Sequence, residues 1–460
     1  MKRRINAFTA IYVILISVIA ASCMPGRKFQ TPEQSIPESK LDEESTDEML
    51  LADKEWYELY CDSHLQSLIG KAIVNNKDIL IAAARITELA HTKRIDDAAF
   101  LPAVTLAPDA DREWENYRGS NRTAGSQFDA KIAFSWEVDL SGRLRWGRKM
   151  GIAQYLESVE ARRALQMSLV AQVAQSYFEL VALHDELDIV RQTLLTREEG
   201  VRQAKLRFEG GLTDETPYRQ AEVEFANAAT LIPGLERQIS AKQNEITLLC
   251  GDYPGPVITG DMRTAFTIPE YFTANISSDI LTRRPDILAA EQSLRAAHSA
   301  MGMSYADRFP RLMLTGAYGF ENDVISSLLK SPYGLIAGSL TGPLFSFNAN
   351  RARFRARQAA YEQETARYEK TVLSVFHEAS NAITGYHAAK ETRERKSELE
   401  RASSKNLELA RLQYLNGVIR YLDLLDAQRS YFDAQLGLSN AIRDENIAVV
   451  NLYKALGGGW

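Results

Sequence analysis

Phe128-Asp129-Ala130-Lys131-Ile132-Ala133-Phe134-Ser135-Trp136-Glu137-Val138-Asp139-Leu140 alternates with a period of two over its whole length. The even positions hold Phe, Ala, Ile, Phe, Trp, Val and Leu, and the odd ones Asp, Lys, Ala, Ser, Glu and Asp. Successive side chains of a β-strand point to opposite faces, so the segment reads as a strand with one strongly apolar face and one charged face. Two settings fit it. One is the wall of a transmembrane barrel, with lipid on one side and water on the other; the alternative is a strand of a soluble sheet.

The pattern returns later in the chain. Leu312, Leu314, Gly316, Tyr318 and Phe320 alternate with more polar partners, and Tyr333 to Leu344 gives a weaker fourth strand. Strands are therefore expected at about 103–140 and at about 311–346. The return belongs to a wider duplication. Asp78-Ile79-Leu80 aligns with Asp286-Ile287-Leu288, and Pro102 with Pro310, at the same offset of 208. At an offset of 206, Ala204, Leu206, Phe208, Gly211 and Ala221 meet Ala410, Leu412, Tyr414, Gly417 and Ala427, and the register holds until Gly251 meets Gly457. Two tandem units follow, 51–256 and 257–460.

Each unit reads as a helix, two strands and then long helices. Leu65 to Ala99 has helical patterning, its counterpart runs from about Ser278 to Asp307, and the prolines at 102 and 310 close these helices. From Arg143 to Glu209 there is no proline and only Gly147, Gly151 and Gly200 interrupt a helical composition; such a run reaches about 100 Å. Ala349 to Asn416 corresponds to it and holds one glycine, Gly385. Each run ends at a glycine-centred turn, Gly210-Gly211-Leu212-Thr213 or Asn416-Gly417-Val418, after which the chain returns as another helix. Helices of this length bury an apolar stripe against neighbours, so two hairpins packed in coiled-coil fashion are expected.

The chain has 460 residues, 25% of them charged, and a net charge of −6. That balance, with no basic stripe beside the aromatics, argues against nucleic acid. Ala7 to Ser22 is the one continuously apolar segment, and at about 16 residues it falls short of a spanning helix. With Lys2, Arg3 and Arg4 before it and Ala20-Ala21-Ser22 after it, residues 1–22 read as a signal peptide. Cys23 follows at once, as in a bacterial lipobox, although Ala20 stands where Leu is usual; an ordinary signal peptide with an incidental Cys23 is the alternative. An acylated Cys23 tethers the chain to a membrane without spanning it. Residues 23–50, rich in acids and proline, read as an extended linker. Cys61 and Cys250 are the other cysteines, and their pairing is left open.

Four strands with a lipid-facing side cannot close alone, because an open edge in hydrocarbon leaves backbone groups without partners. The chain must join copies of itself, and three copies supply twelve strands, an even number within the range of outer-membrane barrels.

Five stretches together resemble the TolC-like outer-membrane factor family, particularly its lipoprotein branch. They are Trp56 through Asp62 with Asn75-Asn76-Lys77-Asp78; Ser135-Trp136-Glu137-Val138-Asp139-Leu140-Ser141-Gly142-Arg143; Arg283-Arg284-Pro285-Asp286-Ile287; Tyr421-Leu422-Asp423-Leu424-Leu425-Asp426-Ala427-Gln428-Arg429; and the end, Asn451 to Trp460. The resemblance implies a fold that is mainly α with membrane β: four β-strands and long helical hairpins per protomer. The implied homotrimer forms a 12-stranded β-barrel in outer-membrane lipid and an α-helical periplasmic tunnel. It also implies an outer-membrane efflux channel, a passive conduit supplied by an inner-membrane pump of the RND type through a periplasmic adaptor. The adaptor-facing turns are then Gly210, Gly211, Leu212 and Thr213, and Gly417, Val418, Ile419 and Arg420.

By the same resemblance, Leu422, Asp426 and Arg429 line the periplasmic aperture, with Asp423 as a further acid. Leu422 and Asp426 are four residues apart on one helical face and Arg429 three further on. In a trimer each becomes a ring: a leucine ring dewets the bore and an acidic ring favours cations. The plain alternative is a surface helix pair between Asp426 and Arg429. Arg283, Arg284, Pro285 and Asp286 read as structural, a helix start with Pro in the first turn and Asp at the positive end.

An enzyme is the first rival reading. His377-Glu378 could open a metal-binding motif, but Asn381 stands where its second histidine belongs, and no nucleophile or phosphate-loop signature is present, so no catalytic residue, metal or cofactor is assigned. A structural coiled-coil lipoprotein is the second. Within the channel class, the conduit of a type I protein secretion system competes with efflux.

Overall fold

The computed structural model describes residues 29–32, 55–115, 123–261, 280–343 and 348–459; the signal peptide, Cys23 and most of the 23–50 linker lie outside them. In chain order the elements are helices α1 (Trp56–Leu59), α2 (Ser63–Asn75) and α3 (Lys77–Ala98), strands β1 (Ala103–Glu115) and β2 (Thr123–Val138), and helices α4 (Arg143–Glu209) and α5 (Thr216–Leu249). The second half gives α6 (Ile280–Arg283), α7 (Pro285–Ala306), β3 (Arg311–Asn322), a 3-10 turn at Ile325–Lys330, β4 (Pro332–Thr341), α8 (Ala349–Leu415) and α9 (Tyr421–Ala455). Both long helices have 67 residues, as the uninterrupted composition requires.

The duplication reappears in the element boundaries. α3 and α7 stop at Ala98 and Ala306, and β1 and β3 start at Ala103 and Arg311, all at the offset of 208. Each helix read as continuous from the sequence is broken at one register position, Asn76 in the first unit and Arg284 in the second. At the first break Asn76 leaves the helical region and its Oδ1 accepts from Asp78 N at 2.9 Å and Ile79 N at 3.2 Å, capping α3, while its Nδ2 donates to Leu249 O at 2.9 Å. At the second, Pro285 lacks an N–H and disfavours helical backbone at Arg284, so a new helix begins there. Ser278, where that helix was expected to begin, lies outside the described residues.

The β2 strand ends at Val138, two residues before the alternation does. Asp139 turns the chain instead: its carboxylate accepts from Leu144 N and Arg145 N, both at 3.1 Å, and so opens α4. β4 likewise stops at Thr341, short of Leu344, which lies outside the described residues.

Two compact units divide the chain. One comprises Met1–Gln34, Ala84–Val159 and Leu288–Lys370; the other Ser35–Ala83, Glu160–Ile287 and Thr371–Trp460. Each draws on both halves of the sequence. The first carries the sheet, antiparallel throughout in the order β1-β2-β3-β4. The second has the main core, in which Tyr60, Tyr177, Phe178, Ile246, Val450 and Tyr453 are all buried. Arg284 ties that core together: Nη1 donates to Ala455 O at 3.0 Å and lies 2.7 Å from Glu378, and Nη2 lies 2.7 Å from Asp286. Cys61 and Cys250 form no disulfide; Cys250 is buried, with its thiol on Leu68 O at 3.6 Å.

Candidate functional site

The sheet sorts its residues by face. On one face Val104 lies opposite Phe134, Leu106 opposite Ile132, Ile132 opposite Tyr318, and Gly316 opposite Ile336. These large apolar groups are exposed, Tyr318 by 71% and Ile336 by 86%. Phe134 lies directly across Gly316, where a β-carbon would collide with its ring. The opposite face is polar and half-covered. Lys131 sits between Asp129 at 3.0 Å and Glu321 at 2.6 Å, Gln127 donates to Glu321 at 3.1 Å, and the Lys131 ammonium lies 4.1 Å from the Tyr333 ring centre. A soluble sheet hides its apolar face and exposes its polar one; this sheet does the reverse. Among the described residues β1 and β4 each pair along one edge only, so both outer edges leave backbone donors and acceptors open.

Both hairpin turns use one backbone device. Gly211 and Gly417 adopt φ of 69° and 73°, and the chain closes each helix with a pair of bonds: Leu212 N to Arg207 O at 2.8 Å with Gly211 N to Phe208 O at 2.9 Å, and Val418 N to Gln413 O at 2.9 Å with Gly417 N to Tyr414 O at 3.0 Å. Leu212 and Val418, next in each chain, are thrust out into solvent.

Beyond the second turn, the expected aperture residues behave differently from one another. Leu422 and Asp426 are exposed on α9. Asp423 is exposed as well, and its carboxylate accepts from Arg420 N at 3.0 Å, which caps α9. Arg429 approaches Asp426 at 3.6 Å, but its stronger partner is Glu224 of α5, reached at 3.1 Å through Nε and 2.5 Å through Nη2. Glu224 is only 5% exposed. Arg197 of α4 holds its other oxygen at 3.3 Å and its backbone carbonyl at 2.7 Å, and stacks 5.4 Å from the Phe432 ring. The hydrogen bond to Glu224 holds the Arg429 guanidinium above its ordinary pKa, whereas burial lowers that of Arg197. Beside them Leu424 and Ala427 pack on Ala410, and burial pushes the Tyr421 phenol up to about 12. The first hairpin and the returning helix of the second are thus joined by one buried carboxylate between two guanidinium groups.

A family model described as outer membrane efflux protein matches residues 68–252 and 276–458. The chain belongs to the outer membrane efflux protein family. Among curated relatives, the probable outer membrane lipoprotein SilC of Salmonella typhimurium is 27% identical, over 89% of this chain and 88% of its own. The probable efflux pump outer membrane protein TtgC of Pseudomonas putida is 30% identical, over 89% and 86%. The MtrE outer membrane channel of Neisseria gonorrhoeae, solved in an open state, superposes with a TM-score of 0.87 at 27% identity, covering 95% of this chain and 98% of that one. This outer membrane efflux protein therefore has the TolC-like channel fold and is an outer-membrane component of an efflux system.

Arg197 and Glu224 escaped the sequence reading. The available signal was positional. Ala221, Ala228 and Leu235 are buried at seven-residue spacing along α5, and Glu224 falls on that seam where an apolar side chain is expected. A charge in such a place requires an opposite charge to reach it.

Proposed function

We propose that the outer membrane efflux protein works as a homotrimer, the passive conduit of a tripartite assembly that carries small molecules such as drugs or metal ions from periplasm to exterior. The inverted sheet carries this reading: an exposed apolar face, a polar face behind it and two open edges are satisfied together when three copies close into a twelve-stranded barrel in lipid. The chain makes and breaks no bonds, and energy is supplied by an inner-membrane pump of the RND type through a periplasmic adaptor. Exposed Leu212 and Val418 supply apolar anchors for that adaptor at the turns Gly210–Thr213 and Gly417–Arg420. Leu422 and Asp426, exposed on one face of α9, form the rings of the periplasmic aperture, and Arg429 restrains them through Glu224. Acylation of Cys23 holds the chain at the outer membrane, in keeping with the description of SilC as a lipoprotein. The description of TtgC as part of an efflux pump supports efflux over protein export.

The test is the mass and conductance of the full-length protein purified in detergent. Three chains per particle and stable channels in planar bilayers are expected. A single water-soluble subunit with no conductance would end the reading.

A further inference from the structure

The start of α8 carries charge that no carboxylate offsets. Arg351, Arg353, Arg355 and Arg357 all fall in the opening rise of about 12 Å of that helix, and all four are exposed. Arg353 donates to the neutral Asn350 Oδ1 at 3.1 Å, and among the described residues the other three make no hydrogen bond or ion pair. Between Asp323 and Glu362 the chain has no acidic residue at all. The start of α4, the same place in the first repeat, is equally basic yet neutralised: Arg143 lies 2.7 Å from Glu137, Arg145 3.0 Å from Asp139 and Arg148 2.7 Å from Asp97. Like charges four apart on a helix repel, and Arg351 in the first turn also opposes the helix dipole. Such a cluster is relieved by anions from outside the chain.

Its place in the fold selects among anions. Arg311, the first residue of β3, lies opposite Thr341, the last of β4, so α7 runs into the sheet and α8 leaves it at one end. Tyr305 of α7 meets Phe354 of α8 at a ring distance of 5.6 Å, and the exposed Arg308 lies over both rings, at 5.3 and 5.8 Å. Arg308 thereby adds a guanidinium beside the four. At that same end the exposed apolar face of the sheet finishes in Leu340, with Leu101 ahead of β1 and Phe309 ahead of β3 also exposed. All of these residues belong to one compact unit. An apolar band followed by an aromatic ring and then by open arginines is the order in which a protein meets hydrocarbon and headgroups.

We propose that the arginine cluster binds the phosphate headgroups of anionic phospholipids in the periplasmic leaflet of the outer membrane. Arg351 with Arg355, and Arg353 with Arg357, form two pairs at a spacing of four, the members of each side by side on α8. A phosphodiester accepts from both guanidinium groups of a pair, and its acyl chains lie along the apolar band. The inference rests on the sheet lying in lipid and adds which lipid its border selects.

The test uses full-length protein in phosphatidylcholine vesicles, with a growing share replaced by phosphatidylglycerol brominated on its acyl chains. Bromine quenches tryptophan fluorescence and so reports which lipid sits at the protein surface. Phosphatidylglycerol should be favoured by roughly fivefold, and about 1 M sodium chloride should erase the preference. The variant Arg351→Gln, Arg353→Gln, Arg355→Gln, Arg357→Gln should lose it, whereas the four corresponding changes to lysine should keep most of it. Equal quenching by the two lipids would overturn the site, and so would an unchanged preference in the glutamine variant. Loss of the preference to inorganic phosphate at matched ionic strength would overturn it too, by making it a site for free anions. Channels should still conduct in bilayers of phosphatidylcholine alone, so a failure of the conduit reading would show there and separately.

Discussion

Glu224 is a carboxylate in a seam built for alkyl groups, tolerated because Arg197 and Arg429 close on it from two helices. Removing one member of such a buried set strands the others. Glu224→Gln leaves Arg197 uncompensated and is expected to destabilise the protein by about 3 kcal/mol, read from thermal unfolding of the purified protein. The same variant should raise resting conductance in planar bilayers more than Asp426→Ala does. The Asp426–Arg429 contact is longer, at 3.6 Å, and exposed on both sides. Equal conductance in the two variants would remove Glu224 from the gate. Cys250 offers a check of a different kind. Burial pushes its thiol up to about 11 from an ordinary value of 9.0. A group whose folded pKa is raised stabilises the native state below its unfolded value and loses that contribution as pH rises through the folded one. Stability should therefore fall between about pH 9 and pH 11, more steeply than in Cys250→Ala. At pH 8, iodoacetamide should label exposed Cys61 well before Cys250, as read by peptide mass mapping. The shared helical face of Leu422 and Asp426 was legible at this scale because it follows from their spacing of four. Glu224 was not, because its partners stand 27 and 205 positions away.

At the scale of the element, the turns and the sheet make separate demands. Gly211 and Gly417 occupy left-handed backbone, so Gly211→Ala and Gly417→Ala should each cost about 1 kcal/mol in stability. Leu212→Asp with Val418→Asp should leave the fold intact and abolish capture of the cognate adaptor in a pull-down, whereas unchanged capture would move the adaptor elsewhere. In the sheet, Ile336→Arg places a charge on the exposed apolar face and is expected to cost about 2–4 kcal/mol in a bilayer. Its signature is a sharp loss of membrane-inserted protein with no loss of soluble helical content. The helix lengths and both turns could be read from glycine and proline positions alone. The break at Arg284 was legible too, in Pro285 and Asp286 as a helix start; the one at Asn76 was not, since a polar residue inside an otherwise helical pattern becomes a cap only when a neighbouring segment accepts it, as Leu249 does for Asn76.

For the molecule as a whole, the open edges set the expectation. β1 and β4 lie on opposite sides of one four-stranded sheet, about 14 Å apart at ordinary strand spacing, too far for a disulfide within a chain. Cysteines paired across these edges, Leu106→Cys with Ile336→Cys or neighbouring combinations, should therefore give covalent trimers on oxidation, visible on denaturing gels. Monomers with an internal bridge would mean that the sheet closes on itself. Dilution in detergent should likewise yield no stable folded single chain, because among the described residues the outer edges of β1 and β4 have no other partner.

Sequence alone determined the strand alternation, the duplication, the 67-residue helices and the glycine turns, since all of these are written in local spacing of two, of 3.6 or of a fixed offset. It also carried the family, through motifs spread in order along the chain. Tertiary structure decided which face of the sheet lies open, how segments of both repeats interleave into each compact unit, and which distant charges meet around Glu224. Those outcomes depend on contacts between residues far apart in the chain, and the energy of such a contact belongs to the pair, so neither partner's neighbourhood records it.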